Sequence, residues 1–279
     1  MAENVVRKSG SRHRGSATTR WTLRLLAVVY VVILVVVPLL VMVGRTFEDG
    51  FAAFIDSITA PEAVTAITLS VEVAFQAVLV NTIFGIAVSL LITRYRFRGR
   101  GVLNALIDLP VSVSPVIAGL ALILVYGNNG WFGGVLASIG VQVIYSVPGI
   151  VLATCFVSLP LVVRELIPVL DEIGLEQEQA GRSLGASAWQ RLWRLTLPSV
   201  RWALAYGVVL SLARALGEFG AVRVVAGNVL GSTQTMPLLA AQRYADLDES
   251  GAYAISFVMV AIAILCIIVV AVLRPREHE

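Results

Sequence analysis

The sequence predicts an all-α polytopic membrane protein, and three of its properties lead to this fold class. Of the 279 residues, 58% are hydrophobic and only 14% are charged, whereas a soluble domain of this size carries about 25% charged residues. Six apolar segments each approach the ~20 residues that an α-helix needs to cross a bilayer. The basic residues are concentrated beside these segments. We therefore expect about six transmembrane helices.

The six predicted spans follow one another through short polar connections. A basic, aperiodic tail at residues 1–20 precedes them, and we expect it to be disordered. The first apolar run has 19 residues, which is longer than the core of a cleaved signal peptide, so we interpret it as a span. The spans are Leu25–Val43, Ile67–Ile92, Leu103–Val125, Val147–Val163, Trp202–Val222 and Ala252–Leu273.

The distribution of positive charge predicts the orientation of the chain in the membrane. The residues before the first span, the connections after the second and fourth spans, and the C-terminus together carry 17 Lys or Arg residues. The opposite connections carry three, which are Arg45, Arg223 and Arg243. Because connections rich in Lys and Arg stay in the cytoplasm, we predict that both termini are cytoplasmic.

The outer connections are acidic or uncharged, and two of them contain segments with helical character. Phe47–Ile58 and Met236–Tyr244 are predicted to be short surface helices. These connections can receive an external partner, although connections of this kind are common in any polytopic protein. The sequence leaves the two interpretations open.

Composition also excludes several functional classes. The two histidines, His13 and His278, lie near the termini, so the core holds neither a histidine-based catalytic triad nor a histidine-rich metal site. Cys155 and Cys266 lie inside apolar segments and do not imply a disulfide framework. The net charge of +3 arises beside the spans, so it does not indicate a nucleic-acid partner. We assign no catalytic residue and no metal ligand.

The most polar long interruption between spans is Gln179–Pro198, within a cytoplasmic connection at residues 175–199. A short helix is predicted up to Leu184, and Gly185 suits the left-handed position that follows a helix. Ser187 and Gln190 have the spacing of a capping box for a second helix. Apolar residues then recur at helical spacing until a proline ends the pattern, and these are Trp189, Leu192, Trp193, Leu197 and Pro198.

This segment resembles the cytoplasmic "EAA" loop of binding-protein-dependent ABC importer permeases, the loop on which their ATPase subunits dock. The family pattern is Glu-Ala-Ala, three residues, Gly, nine residues, and Ile-x-Leu-Pro. In this chain it falls on Gln179, Ala180, Gly181, Gly185, Leu195, Leu197 and Pro198. The departures are Gln179 for Glu, Gly181 for the second Ala and Leu195 for Ile. Glu178, one residue earlier, can supply the missing carboxylate. The alternative is an ordinary amphipathic helix on the membrane surface.

Polar residues inside the spans are candidates for a substrate path. Ser112 and Ser114 lie between Pro110 and Pro115 in the third span, where proline frees backbone carbonyls that neighbours or water must satisfy. The alternative is a packed kink without a functional role. In the second span Thr68, Glu72 and Gln76 share one helical face. Glu72 either faces a cavity or a partner, or lies at the outer interface.

A second candidate lies in the fifth span, where Arg214 and Glu218 are four residues apart. At that spacing they share a helical face and can pair, while Gly217 and Gly220 allow close helix approach. An ion pair within a membrane helix is uncommon enough to suggest a function. The pair is either a structural clamp between helices or part of a path whose cation meets an anionic substrate.

The same region resembles the sulfate and thiosulfate subfamily of these permeases, whose members carry an R-x-x-GEFGA-like element here. Further resemblance lies in DLPVSVSPVIAGL at Asp108–Leu120, YGNNGWFGG at Tyr126–Gly134 and FVSLPLVVREL at Phe156–Leu166. Together with the loop and the fifth span, these motifs cover most of residues 108–227. The SVSP and VVREL motifs are more similar to the W-type subunit of the subfamily than to the T-type.

The resemblance implies a type I ABC importer permease fold and an alternating-access mechanism. It implies one permease domain at residues 21–279, with a family core at 66–273, in the inner membrane of a prokaryote. The expected partners are a T-type permease, two ATP-binding subunits and an extracytoplasmic sulfate-binding protein.

The chain itself is expected to be no enzyme and to hold no cofactor. Its single lysine, Lys8, lies outside any glycine-rich phosphate-binding loop, so the partner ATPases would use the ATP and Mg²⁺. The alternatives are a molybdate or tungstate permease, and an ion-coupled secondary transporter, which would leave the cytoplasmic loop unexplained.

Overall fold

The computed structural model describes residues 17–273, and all that follows refers to them. Within this range the chain is helical apart from turns and short loops, and it contains no strand. The residues divide into two units at Arg45–Thr46, which are described separately.

The first unit is a continuous apolar helical rod. It consists of α1 (Ala17–Val31), a π-helical turn at Val32–Val36, and α2 (Val37–Thr46), whose last residue already belongs to the second unit. The predicted span Leu25–Val43 lies inside this rod. Helix α1 begins four residues inside the predicted tail, and residues 1–16 of that tail lie outside the described range.

The second unit contains the remaining helices. Its first half contains α3 (Phe51–Thr59), α4 (Pro61–Arg94), α5 (Arg100–Ser112), α6 (Pro115–Tyr126), α7 (Gly133–Ser138) and α8 (Val147–Ile173). The second half contains α9 (Glu176–Ser183), α10 (Ala188–Arg191), a π-helical turn at Leu192–Thr196, α11 (Leu197–Ser199), α12 (Arg201–Leu216), α13 (Gly220–Val225), α14 (Met236–Ala245) and α15 (Glu249–Leu273).

The helical lengths and composition agree with a multi-pass membrane protein. Four helical segments of the described chain are long and apolar enough to cross a bilayer, and there are six if each of two bent pairs counts as one span. Helix α4 has 34 residues, a length of about 51 Å at 1.5 Å per residue, against a hydrocarbon thickness of about 30 Å. The helices at the second, fourth and sixth predicted spans are confirmed, and the fourth continues past Arg164 to Ile173.

The third predicted span, Leu103–Val125, is wrong as a single helix. It consists of α5 and α6, which meet at an angle of 115°. Pro115 has no backbone N–H and disfavours a helical conformation in the residue before it, and Ser114 accordingly has φ −56° and ψ 132°. Pro110 lies inside α5 without interrupting it. The helix break is therefore caused by Pro115.

The fifth predicted span, Trp202–Val222, is also two elements. Helix α12 ends at Leu216, and α13 starts at Gly220. Gly217 and Gly220 are poor helix formers, and Glu218 lies between them. The Glu218 side chain accepts a hydrogen bond from the backbone N–H of Ala221 at 2.8 Å, which satisfies a donor in the first turn of α13.

The core of the second unit is the parallel pair α4 and α8. The amide Nδ2 of Asn81 donates to the Cys155 carbonyl at 3.0 Å and to the Ser158 hydroxyl at 2.9 Å. One turn further along, Gly85 contacts Val162 so closely that an added Cβ would lie 2.7 Å from Val162 Cγ1. Helix α12 packs antiparallel to this pair, with Gly207 against Val162 and Ala215 against Ala74 and Val78.

The two broken spans pack against each other through glycine. A Cβ on Gly119 of α6 would lie 2.9 Å from the Ala221 carbonyl oxygen, and one on Gly220 would lie 3.0 Å from Pro115 Cβ. The start of α13 therefore contacts the start of α6, and the two helix breaks lie side by side.

The outer end of the unit is held by Arg243, which is about nine-tenths buried. Its guanidinium donates to Glu62 Oε1 at 3.1 Å and to the Ser57 carbonyl at 3.1 Å, and it lies 3.7 Å from Asp248. The helix predicted at Met236–Tyr244 exists as α14, but it is not a surface helix, because Met236, Leu238 and Leu239 are buried.

The close contact at Gly119 leads to a stability prediction. Gly119→Ala should lower the free energy of unfolding by about 1–3 kcal/mol, because the added methyl group meets a backbone oxygen that cannot rotate away. Gly134→Ala is the matched control, since nothing lies within 4 Å of a Cβ at that position. Thermal unfolding of the purified protein compares both variants with the wild type, and equal stabilities would contradict the packing at Gly119.

The orientation can be tested with single cysteines in a chain that lacks Cys155 and Cys266. Tyr95→Cys and Ser232→Cys replace exposed residues at opposite ends of the second unit. A membrane-impermeant maleimide applied to intact cells should label Ser232→Cys, whereas Tyr95→Cys should react only after permeabilisation. The reverse pattern would invert the predicted topology.

Candidate functional site

The first candidate site is the coupling segment, residues 175–199, which forms two short helical parts hinged at a glycine. Helix α9 ends at Ser183, and Gly185 has φ +83°, a conformation that L-residues rarely adopt. The N–H groups of Gly185 and Ala186 donate to the Arg182 and Gly181 carbonyls, each at 3.0 Å. The predicted helix end at Gly185 is confirmed.

The second part of the segment begins at the predicted capping box. The Ser187 hydroxyl accepts from the Gln190 N–H at 3.2 Å, and the Gln190 side chain accepts from the Ser187 N–H at 2.8 Å. Both bonds of the box are therefore formed at the start of α10. The helical path continues through the π-helical turn and α11, past Pro198 to Ser199.

The apolar residues of the segment divide between two faces. Trp189 and Trp193 are 68% and 54% exposed and meet edge to face with ring centroids 5.4 Å apart, and Leu184 is 89% exposed. Leu195 and Leu197 are half-buried on the other side. The exposed aromatic pair is suited to a protein partner. Leu197, which was predicted to be an anchor together with the two tryptophans, is half-buried instead.

The positions of the family pattern lie on both sides of the hinge. Gln179 and Ala180 are exposed on α9. Gly181, where the pattern has Ala, faces inward, and a Cβ there would lie 2.9 Å from Leu195 Cδ1. Gly181 and Leu195 therefore pack the two halves of the segment against each other, while Gln179 stays available to a partner.

Glu178 connects this segment to the spans. Its Oε1 accepts from Arg94 Nε at 3.0 Å and from the Thr196 hydroxyl at 3.1 Å. Arg94 is the last residue of α4, and its Nη1 also donates to the Leu170 carbonyl of α8 at 3.0 Å. We call the three side chains Arg94, Glu178 and Thr196 the cytoplasmic clasp. The sequence marked Glu178 as a spare carboxylate, but its partners lie 84 and 18 residues away, so no local pattern reveals them.

The second candidate site is the Arg214–Glu218 pair, which the structure forms as predicted but for a different reason. Arg214 Nη1 and Glu218 Oε2 are 2.7 Å apart. The two residues were predicted to share one helical face, yet α12 ends at Leu216 and Glu218 lies beyond it. The side chain of Glu218 is 2% exposed and that of Arg214 is 39% exposed, so the carboxylate is enclosed while the guanidinium keeps a free side.

Ser112 and Ser114 lie at the break between α5 and α6, and both are exposed. Because Pro115 contacts Gly220, the serines and the Arg214–Glu218 pair belong to the same pair of helix breaks. Exposed polar side chains and interrupted backbone at membrane depth occur where they line a water-filled cavity or meet protein.

The third group of candidates, Thr68, Glu72 and Gln76, has no contact with the two helix breaks through hydrogen bonds or ion pairs of the described residues. Glu72 is exposed and accepts a hydrogen bond from Gln76 Nε2 at 3.0 Å. Thr68 is exposed on the same face and donates to the Val64 carbonyl. No hydrogen bond or ion pair within residues 17–273 connects these side chains to Arg214, Glu218 or the two serines.

Sequence reasoning missed a further ion pair. Asp108 of α5 and Arg164 of α8 form a two-pronged pair, in which Arg164 Nε donates to Asp108 Oδ1 at 2.6 Å and Nη2 to Oδ2. Their positions in the DLPVSVSP and VVREL motifs were visible, but the pairing joins residues 56 positions apart. In the described part of the chain, no cluster of three His, Cys, Asp or Glu residues could hold a metal ion.

Residues 81–278 match the family described as "Binding-protein-dependent transport system inner membrane component". The chain belongs to this family. The match covers the α4–α8 core from Asn81 onward, the coupling segment and both helix breaks.

Several relatives extend the similarity over nearly the whole chain. The sulfate transport system permease protein CysW of Synechocystis sp. is 42% identical, over 92% of this chain and 93% of the relative. CysW of Escherichia coli (strain K12) is 40% identical, over 92% and 88%. CysT, the sulfate transport system permease protein of the same organism, is 37% identical over 90% of each.

The fold is also similar to that of a solved structure. A bacterial ABC transporter involved in the import of the acidic polysaccharide alginate contains a chain with a TM-score of 0.75, over 92% of this chain and 93% of that one. The two share 15% identity, so the similarity establishes the ABC importer permease fold alone.

The hinge leads to a prediction about coupling. Gly185→Val should abolish transport and stimulated ATP hydrolysis while the chain still inserts, because a left-handed conformation costs an L-residue about 1–2 kcal/mol and a β-branched residue more. Gly101→Val is the control, since Gly101 also has open space around it but no positive φ. Transport and ATPase assays in proteoliposomes measure the effect. Wild-type coupling in Gly185→Val would show that Gly185 is no hinge.

Proposed function

We propose that this chain is the W-type permease subunit of an ATP-driven importer that carries sulfate, and thiosulfate, into the cytoplasm. The names of relatives at 40–42% identity over about nine-tenths of the chain support the substrate class. The observation that carries the transport role is the coupling segment, whose exposed Trp189 and Trp193 give a partner an aromatic surface next to the clasp.

The same comparison supports a proposal for the assembly. We expect a heterodimer with a T-type permease, two copies of an ATP-binding subunit that use ATP and Mg²⁺, and an extracytoplasmic sulfate-binding protein. The alginate importer was solved with its pentasaccharide-bound periplasmic protein, which supports a binding protein as the source of substrate. The location would be the cytoplasmic membrane of a prokaryote. In this scheme the chain makes and breaks no covalent bond.

The path for the anion would run past the paired helix breaks. The guanidinium of Arg214 is bonded to Glu218 on one side and open on the other, and a planar guanidinium fits the oxygens of an oxyanion. Ser112 and Ser114 add hydroxyl donors at the neighbouring break. Glu72 and Gln76, on a separate polar face of α4, stay candidates for a part of the path away from the helix breaks.

The proposed function predicts a coupled ATPase. In proteoliposomes that contain both permeases and the ATP-binding subunits, a sulfate-loaded binding protein should stimulate ATP hydrolysis and sulfate uptake together. Molybdate or tungstate delivered by their own binding proteins should stimulate neither. Uptake driven by an ion gradient without ATP would instead support a secondary transporter.

The roles of Arg214 and Glu218 can be separated by exchanging them. Removal of one partner leaves a charge without its counterion in a poorly solvated site, so Arg214→Ala should destabilise the complex. The double exchange Arg214→Glu with Glu218→Arg should restore assembly but not transport, because the cation moves along the path. Arg214→Lys keeps the charge without the planar fork and should be intermediate. Wild-type sulfate uptake by a stable Arg214→Ala complex would exclude both roles.

A further inference from the structure

The cytoplasmic clasp joins the coupling segment to the spans α4 and α8, whereas the backbone connects the segment to its neighbouring spans only through bends. We propose that Glu178 is a positioning residue for transport: through Arg94 and Thr196 it fixes the coupling segment to α4 and α8, so that movement of the segment moves these spans. This inference rests on the proposed function, since it needs an ATPase partner that moves the segment.

A single carboxylate oxygen makes the connection. Glu178 Oε1 receives the Arg94 guanidinium from α4 and the Thr196 hydroxyl from the π-helical turn. The Arg94 and Glu178 side chains are 9% and 22% exposed, and Thr196 is buried. Hydrogen bonds with a charged partner are shorter and stronger than neutral ones and more specific in geometry. The clasp therefore holds one arrangement of the segment.

The clasp spans both halves of the coupling segment. Glu178 belongs to α9, before the Gly185 hinge, and Thr196 lies after it. Without the bond between them the two halves would meet through the hinge and through apolar contacts such as Gly181 against Leu195. With it, the segment moves as one piece, and α9 cannot rotate independently of the helical part that carries the tryptophans.

The covalent connections of the segment to the spans are less suited to transmit movement. At its start, Gly174 has φ +72° with nothing within 4 Å of a Cβ, and at its end the chain bends by 74° between α11 and α12. The clasp connects the segment to α4 directly, without passing through either bend. Because Arg94 also bonds the Leu170 carbonyl, a displacement of Glu178 acts on α4 and α8 together, and Asn81 couples the same two helices further out.

The test compares Glu178→Gln with Glu176→Gln in the full transport complex. Both variants remove one negative charge from α9, but Glu176 is exposed and lies outside the clasp. Glu178→Gln should assemble and hydrolyse ATP, yet carry about tenfold less sulfate per ATP, because the amide keeps an acceptor oxygen but loses the charge that strengthens both hydrogen bonds. Glu176→Gln should match the wild type. Thr196→Val, which removes only the hydroxyl donor, should give a smaller loss.

Arg94→Lys separates charge from geometry. A lysine keeps the charge but cannot bond Glu178 and the Leu170 carbonyl through two arms of one planar group, so sulfate carried per ATP should fall between the wild type and Glu178→Gln. A purely structural role would change the amount of complex and leave this ratio unchanged.

Two results would overturn the proposal. One is a wild-type ratio of sulfate to ATP in Glu178→Gln. The other is failure of Glu178→Gln to assemble while Thr196→Val and Arg94→Lys keep the wild-type ratio, because the carboxylate would then serve folding alone. A wild-type complex without sulfate-stimulated ATP hydrolysis would refute the proposed function itself, which distinguishes the two failures.

Discussion

The buried amide of Asn81 holds together the two parallel helices on which most of the second unit packs. Lipid gives apolar helices no hydrophobic drive to associate, so association depends on close packing and on interhelical hydrogen bonds. Asn81 supplies two buried hydrogen bonds between α4 and α8, Arg94 adds another at their cytoplasmic ends, and Gly85 supplies the close approach. Helices α5, α12 and α13 all contact α8. The pair is therefore the frame against which the bent helices and the coupling segment are positioned.

Helix α12 connects the two candidate sites. It begins at the bend that follows the coupling segment and ends two residues before Glu218, so its 16 residues separate the two by about 24 Å. If the segment moves as proposed above, the movement reaches the Arg214–Glu218 pair mainly through the clasp, along α4 and α8, because the chain bends by 74° before α12 begins. Close contacts such as Gly85 against Val162 favour a switch between packed states over a gradual deformation.

Local signals in the sequence were sufficient for the coupling segment and insufficient for the membrane breaks. Gly185, Ser187 and Gln190 act on neighbours within a few residues, so their spacing predicted the hinge and the capping box. The Leu103–Val125 and Trp202–Val222 segments are apolar enough to be predicted as single spans. Hydropathy does not show where a helix breaks, so both predictions missed the bends. The clasp and the Asp108–Arg164 pair join distant residues, which only the packing of α4, α5 and α8 brings together.

The break at Ser114 also bears on how the chain is made. Helices α5 and α6 have 13 and 12 residues, about 20 and 18 Å, and neither alone crosses the hydrocarbon layer. Helix α6 gains its close contact at Gly119 only from α13, which the ribosome produces about a hundred residues later. During synthesis, α5 and α6 are therefore complete before the helix that packs at Gly119 exists. We therefore expect substitutions at this break to affect membrane insertion of the chain as well as stability of the finished fold.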